Sequence, residues 1–555
     1  MASVGLENIS SERSKSMVCK SCRIARNSLR KTEDATRYHL IDTWVNDNSS
    51  KFIESQIGLL SEDNWSSHVF ENIPIGRIAA VDLLMHYKVN SLRIPSSLWE
   101  SYLQQIRICY QTLFASRSFL KALAPDRVLI YNTLFGVNRI VQHVSESLNI
   151  ACYSLHLGFQ SKADSNAFMM YRNDDEQLRI AHSKEATTYL SRPLTHERLS
   201  DAFQFFDVTL NALSHTVYSK PYLKSNPSMT RNILQVKPGR PVVFVPLASA
   251  DERFALKLID LPSLNQTGEL FKDQNDWLNY VLDLAKNYSE WEFVIRPHPR
   301  MFPNHREKNT ANELHKLLEL LSLGSANVHI NLPSDNLSLP EILQITDVVL
   351  GGTTSAGLEA LAYGLPVVTH NERLLFAYPA QLGKYARTKE EYVTHIRKSI
   401  DSNWSIENVR QAMRWMVFLD TVVSRKLTKG NSSENSTQLV WRSRFQTKIF
   451  RRLKLFQRLP RAISLPLAVT TQILSIRNSR RHDGHFSSEA QVFHETLTSQ
   501  LPGLHRVSQL VDSDEVIETS ALYVLLNNLL KKLGTFEDPT CLSSRIESFL
   551  SRESN

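Results

Sequence analysis

Short apolar runs that do not alternate in polarity recur through the second half of the chain, at Pro241–Pro246, Phe293–Ile295, Val328–Ile330, Val348–Leu350 and Pro366–Thr369. Helical patterns separate most of them. Strands covered on both faces read as continuous β-branched runs, so these five predict a buried parallel sheet. The first half carries a similar but shorter signal: a strand through Pro125–Asn132, a helix over 138–149 and a second strand over 150–156. That order is a βαβ unit. Upstream, Ile73–Met85 reads as a turn entering a helix and 98–123 as a long helix, so helices dominate the first hundred residues. The fold class expected is α/β, with two doubly wound domains facing each other across a cleft.

The polar stretch Lys224–Asn232 separates the two series. The predicted organisation is therefore a polar N-terminal extension over 1–50, a first domain over 51–225, a second over 235–430, and a basic, mainly helical extension over 431–555. A chain of 555 residues exceeds what one hydrophobic core supports, in keeping with two or more domains. Its 42% apolar and 22% charged content excludes disorder of the chain as a whole.

Charge changes the picture only locally. The net charge of +8 is concentrated between Trp441 and Arg481, which hold eleven Lys or Arg and no Asp or Glu. Ile449, Phe450, Leu453, Leu455, Phe456 and Leu459 are interleaved with the cations, and Pro460 and Pro466 interrupt any helix. Such a tract reads in two ways. It is a surface that meets anionic lipid, at about 1 kcal/mol per cation, or a solvated face packed by its apolar side. No zinc finger or aromatic-rich motif accompanies it, so nucleic acid is not an expected partner. The start of the chain is polar and no run approaches the length of a membrane span. A cytoplasmic protein is expected, with any membrane contact peripheral at the inner face of the plasma membrane.

Cysteines at 19, 22, 109, 152 and 541 are too few and scattered for a disulfide framework. Cys19 and Cys22 have metal spacing, but His39 is the only nearby additional candidate and no second half-site follows. They read as ordinary thiols, and no metal is expected.

Two segments carry candidate chemistry. The strand ending at Ile295 runs into Arg296, Pro297, His298, Pro299 and Arg300, which puts cations and an imidazole at the carboxyl edge of the sheet on a proline-stiffened turn. Arg296 and Arg300 can neutralise a phosphate, and His298 can hydrogen-bond or protonate it. The second segment ends a strand at Leu350 and continues through Gly351, Gly352, Thr353, Thr354 and Ser355 into a helix carrying Glu359. Small residues let the backbone approach a ligand, hydroxyls and free amides at a helix start favour an anion, and Glu359 one turn on can accept from a sugar hydroxyl.

The run Gly-Gly-Thr-Thr-Ser-x-Gly-x-Glu-Ala followed by Gly364-Leu365-Pro366-Val367-Val368 resembles the nucleotide-binding half of GT-B glycosyltransferases, a fold of two facing Rossmann-like domains. With Arg-Pro-His-Pro upstream it is similar to capsule polysaccharide biosynthesis proteins, which include transferases of CMP-activated Kdo and sialic acid. The resemblance spans 240–375 well and 125–160 loosely. It implies a glycosyltransferase taking a nucleotide-sugar donor, CMP-sugars first, and a polysaccharide or glycolipid acceptor; with cations and a helix dipole at the phosphate, no metal or cofactor is expected. In that family a His-Pro motif and a Ser/Thr-rich loop hold the nucleotide phosphate, features that His298 and Thr353, Thr354 and Ser355 match; Arg296, Arg300 and Gly352 complete the expected nucleotide site, with Glu359 accepting from a ribose hydroxyl.

Catalysis then falls to His298, which assists the departing phosphate, and to a base for the acceptor. Asp251 is the first candidate for that base, with Glu252 and His156 beside it. Glycerophosphate transferases of this fold show Thr-Asp-Tyr-Ser-Ser and UDP-N-acetylglucosamine 2-epimerases show Ser-Gly-Gly-x-Gln-Glu-Glu. This chain has neither, which makes both runners-up. A non-catalytic partner in polysaccharide assembly or export is the alternative from another class.

Overall fold

The computed structural model describes residues 41–157, 167–172, 180, 183–213, 218, 220–259, 270–304, 308–351, 354–370, 379, 382–426 and 514–553. Cys19, Cys22, His39, the basic tract 441–481, Gly352 and Thr353 lie outside them.

From residue 41 up to β1 the chain is helical, as its pattern predicts: α1 (Asp47–Ile57), α2 (Ile75–Tyr87) and α3 (Trp99–Leu123) precede β1 (Arg127–Tyr131), α4 (Gly136–Ser147) and β2 (Ala151–Leu157). The βαβ unit is present, with β1 and β2 paired in parallel from Arg127 opposite Ala151. The expectation of a first doubly wound domain needs correction beyond that point. β3 (Ala167–Tyr171) pairs antiparallel with β2, and the next strand, β10 (Ser424–Lys426), arrives from far along the chain to pair antiparallel with β3. The result is a four-stranded mixed sheet in the order β1-β2-β3-β10. Its core is formed mainly by α2, α3 and α4, through residues such as Ile78, Leu83, Ile106, Leu113 and Ile140, all fully buried.

Next come α5 (Lys184–Leu190), α6 (His196–Leu210) and α7 (Pro227–Leu234). The second sheet then follows the sequence closely. Its strands are β4 (Val242–Pro246), β5 (Glu292–Arg296), β6 (Val328–Ile330), β7 (Val348–Gly351), β8 (Val367–Thr369) and the short β9 (Lys384–Tyr385). Every recorded pair is parallel, in the order β6-β5-β4-β7-β8-β9. Successive side chains of a strand point to opposite faces, and both faces are buried here. Val243, Val245, Phe293, Ile295 and Val348 pack against α9 (Gln274–Asn287) through Trp277, Leu278 and Val281. Val242, Phe244, Val294 and Val349 meet Phe206 of α6, Leu361 of α12 (Ala356–Ala362) and Met413 of α14 (Ile406–Phe418). Here α8 (Ala250–Leu258), α10 (Leu314–Ser322), α11 (Leu339–Leu343) and α13 (Lys389–Asp401) complete the numbering up to α14.

Two crossings were not foreseen. α5 and α6, assigned by pattern to the first domain, contribute Ala186, Leu190, Leu199 and Phe203 to the core of the second sheet. α8 crosses the other way, placing Ala255 and Leu256 in the first core. The C-terminal helices α15 (Asp514–Leu533) and α16 (Leu542–Glu553) also pack on the second sheet's core, through Leu522, Leu526, Leu542 and Ile546. They are anchored by Glu518, buried against Arg414, and by Arg545, whose Nη2 lies 2.6 Å from Asp347 Oδ1.

Candidate functional site

The order of the second sheet reverses direction between β4 and β7. In doubly wound sheets that topological switch point is where ligands bind. β5 lies beside β4, with Arg296 in register with Pro246, so the Arg-Pro-His-Pro turn is delivered to this edge as the sequence implies.

His298 caps the short 3-10 helix Pro299–Met301, its Nδ1 accepting from the Arg300 amide at 3.2 Å. An imidazole that accepts at Nδ1 carries its proton on Nε2, so the neutral ring keeps one donor. Burial, reinforced by the positive charges of Arg300, Arg296 and Lys88, pushes His298 down to about 4. The ring is therefore a neutral hydrogen-bond donor at neutral pH. The edge of Tyr218 packs on it, with centroids 5.5 Å apart.

Arg296 ends β5 half-buried, and burial lowers it to about 10 despite the attraction of Glu359, Asp335 and Glu341. Glu359, on α12 after β7, is half-buried too. Burial pushes it up to about 7, with Arg296 opposing the shift. The structure thus brings Arg296, His298 and Glu359 to one edge: a cation, a neutral donor and a carboxyl near its midpoint at pH 7. Thr354 and Ser355 precede α12, half-buried and exposed respectively, and Thr354 Oγ1 accepts from the Ala356 amide at 3.4 Å. Gly351 has a packing reason: a Cβ there would lie 2.9 Å from Val367 Cγ1 on β8.

Arg300 and Asp251 go elsewhere. Asp251 lies in the first turn of α8, where a polar loop was expected, and is 2% exposed. Arg300 donates to Asp251 Oδ2 through Nε at 3.2 Å and Nη2 at 3.0 Å, and its Nη1 lies 3.2 Å from Glu252 Oε1. Arg300 Nη2 also donates to the Met85 carbonyl of α2. Ser249 donates its hydroxyl to Asp251 Oδ1. Both carboxylate oxygens are thus engaged in a buried ion pair, where Arg300 was expected as a phosphate ligand and Asp251 as a base. His156 sits on β2 with its ring 6.5 Å from that of Tyr171.

Lys88 is the residue that sequence reasoning missed. It ends α2 in a left-handed conformation (φ 54°), fully buried, and donates to the carbonyls of Phe302, at 3.3 Å, and Asn309. It fastens the segment after His298 to the helical layer, and nothing in the local pattern around Lys88 signals it.

No family model and no curated protein matches this chain. Among solved structures, a Listeria monocytogenes protein assigned provisionally as a UDP-N-acetylglucosamine 2-epimerase is 11% identical. That match covers 61% of this chain and 88% of that one at a TM-score of 0.24, a similarity too low to carry an argument. The fold reading rests on strand order. Among the described residues, no group of His, Cys, Asp and Glu is placed to hold a metal, and no helix is long and apolar enough to cross a membrane.

Proposed function

We propose that the chain binds a nucleotide-activated sugar at the carboxyl edge of its second sheet and transfers the sugar to a polysaccharide or glycolipid acceptor, as a GT-B-like glycosyltransferase. The observation that supports this reading best is the convergence of Arg296, His298 and Glu359 at the switch point of a parallel sheet. Arg296 neutralises the nucleotide phosphate, His298 Nε2–H stabilises the charge that develops on it as the glycosidic bond breaks, and Glu359 accepts from a ribose hydroxyl. In its resting state His298 acts as a neutral donor, and a bound phosphate dianion raises its proton affinity as the leaving group forms.

The test is titration of the purified full-length chain with CMP, CDP, UDP and GDP, beside His298→Ala and Glu359→Ala. Preferential binding of one nucleotide, lost in both variants while the fold is retained, supports the site. Unchanged affinity in both variants overturns it. The engagement of Asp251 by Arg300 favours a second reading, a binding protein without transfer activity. Nucleotide release from a bound donor in the presence of a glycan acceptor separates the two.

A further inference from the structure

The described residues also form a pocket at the opposite, amino-terminal edge of the second sheet. It encloses about 510 Å³, within the range of small-molecule sites. A five-residue strand spans about 15 Å, so this pocket is remote from Arg296 and Glu359. Four separate stretches build it: Arg240 before β4, Asp347 before β7, Trp404 before α14, and the Arg545–Arg552 face of α16.

Its floor is an ordered polar cluster. Asp347 Oδ2 accepts from the Val242 amide at 2.7 Å, and Asp347 Oδ1 accepts from Arg545 at 2.6 Å and from Asn403 Nδ2 at 3.2 Å. Arg545 also donates Nη1 to the Thr346 carbonyl at 2.8 Å. The one carboxylate lining the pocket is therefore saturated. Arg240 spends only Nη1, on the Ser289 carbonyl at 2.6 Å and Glu292 at 3.2 Å. Arg545 Nε has no acceptor among the described residues, and Arg552 and Ser548 lie exposed on the α16 wall. Among the lining residues, three arginines face the single carboxylate of Asp347.

The remaining wall is aromatic. Trp404 and Phe549 lie with centroids 5.0 Å apart, and the indole N–H is committed to the Tyr363 carbonyl at 2.9 Å, so the indole offers the pocket apolar surface. Guanidinium donors beside an aromatic surface suit an anion attached to a planar or apolar body.

We propose that this pocket binds a small phosphate ester with a planar or apolar body, and that the bound ligand staples α16 to the sheet. The geometry sets the consequence. Arg240 and Arg545 come from segments about three hundred residues apart, so a shared anion resists separation of the C-terminal helices from the sheet.

Phenyl phosphate and inorganic phosphate serve as probes, titrated calorimetrically into the full chain and followed by hydrogen exchange over 542–553. Phenyl phosphate is expected to bind more tightly than phosphate and to slow exchange in α16. Arg552→Glu and Ser548→Glu, both at exposed positions, should each weaken it by about tenfold, while His298→Ala at the other edge leaves the ligand's slowing of exchange in α16 unchanged. No binding at millimolar ligand overturns the proposal. So does binding indifferent to Arg552→Glu but lost in His298→Ala, which would place the ester in the carboxyl-edge site.

Discussion

Replacing Glu359 by Gln should make the protein more stable while weakening its nucleotide binding. The carboxyl is pushed from its ordinary 4.5 up to about 7 by burial, with the attraction of Arg296 already opposing that shift. A group whose pKa is raised by folding binds more protons in the native state, so stability falls as pH rises from about 4.5 through 7. Above pH 7 the full gap corresponds to about 3 kcal/mol of destabilisation, reduced towards about 1 to 2 where solvent reaches the half-buried group. Glutamine keeps the shape and removes the charge, so the variant retains the stability of the protonated form at every pH. Arg296 still faces Asp335 and Glu341.

Urea unfolding of both proteins between pH 4.5 and 8.5 reads the effect as the difference between the two curves. His298 and His370, pushed down to about 4 and about 3, contribute the opposite slope, but they are common to both proteins and cancel. The expected difference is greatest above pH 7 and shrinks towards zero near pH 4.5. A variant no more stable than wild type at pH 8, or an advantage that does not fade in acid, refutes the placement of Glu359 in a desolvated cleft.

Arg300→Met should cost about 3 to 5 kcal/mol, because it leaves the buried Asp251 carboxylate without its partner, and Asp251→Asn should cost less, because Arg300 keeps Glu252. The double variant should be less damaged than the sum of the two, which a denaturant double-mutant cycle measures. Gly364→Ala should destabilise by about 2 kcal/mol or more, since Gly364 has φ 86° and a Cβ would run into the Trp404 indole. A lower urea midpoint together with altered tryptophan emission reports it. Cys109, Cys152 and Cys541 are buried, and burial raises the Cys109 thiol, so all three should resist a disulfide reagent under native conditions and react on unfolding. Rapid native labelling at any of the three, located by peptide mapping, would contradict their packing.

The sequence alone determined five of the second sheet's six strands, missing only the two-residue β9, because strands buried on both faces must be apolar throughout, and that requirement is local. It also determined that Arg296, His298 and Glu359 share one edge, since a parallel sheet sends every strand's carboxyl end the same way. The mixed first sheet was not legible: β10 pairs with a strand about 250 residues away, and a three-residue strand carries no periodicity of its own. Nor was the partner of Arg300. A guanidinium beside a histidine at a sheet edge satisfies phosphate binding and ion pairing equally well on paper. Only the packing of α8 across the two halves of the molecule brings Asp251 against it. Which charges meet across a fold depends on how its layers are stacked, and that is settled by three-dimensional burial rather than by the order of residues along the chain.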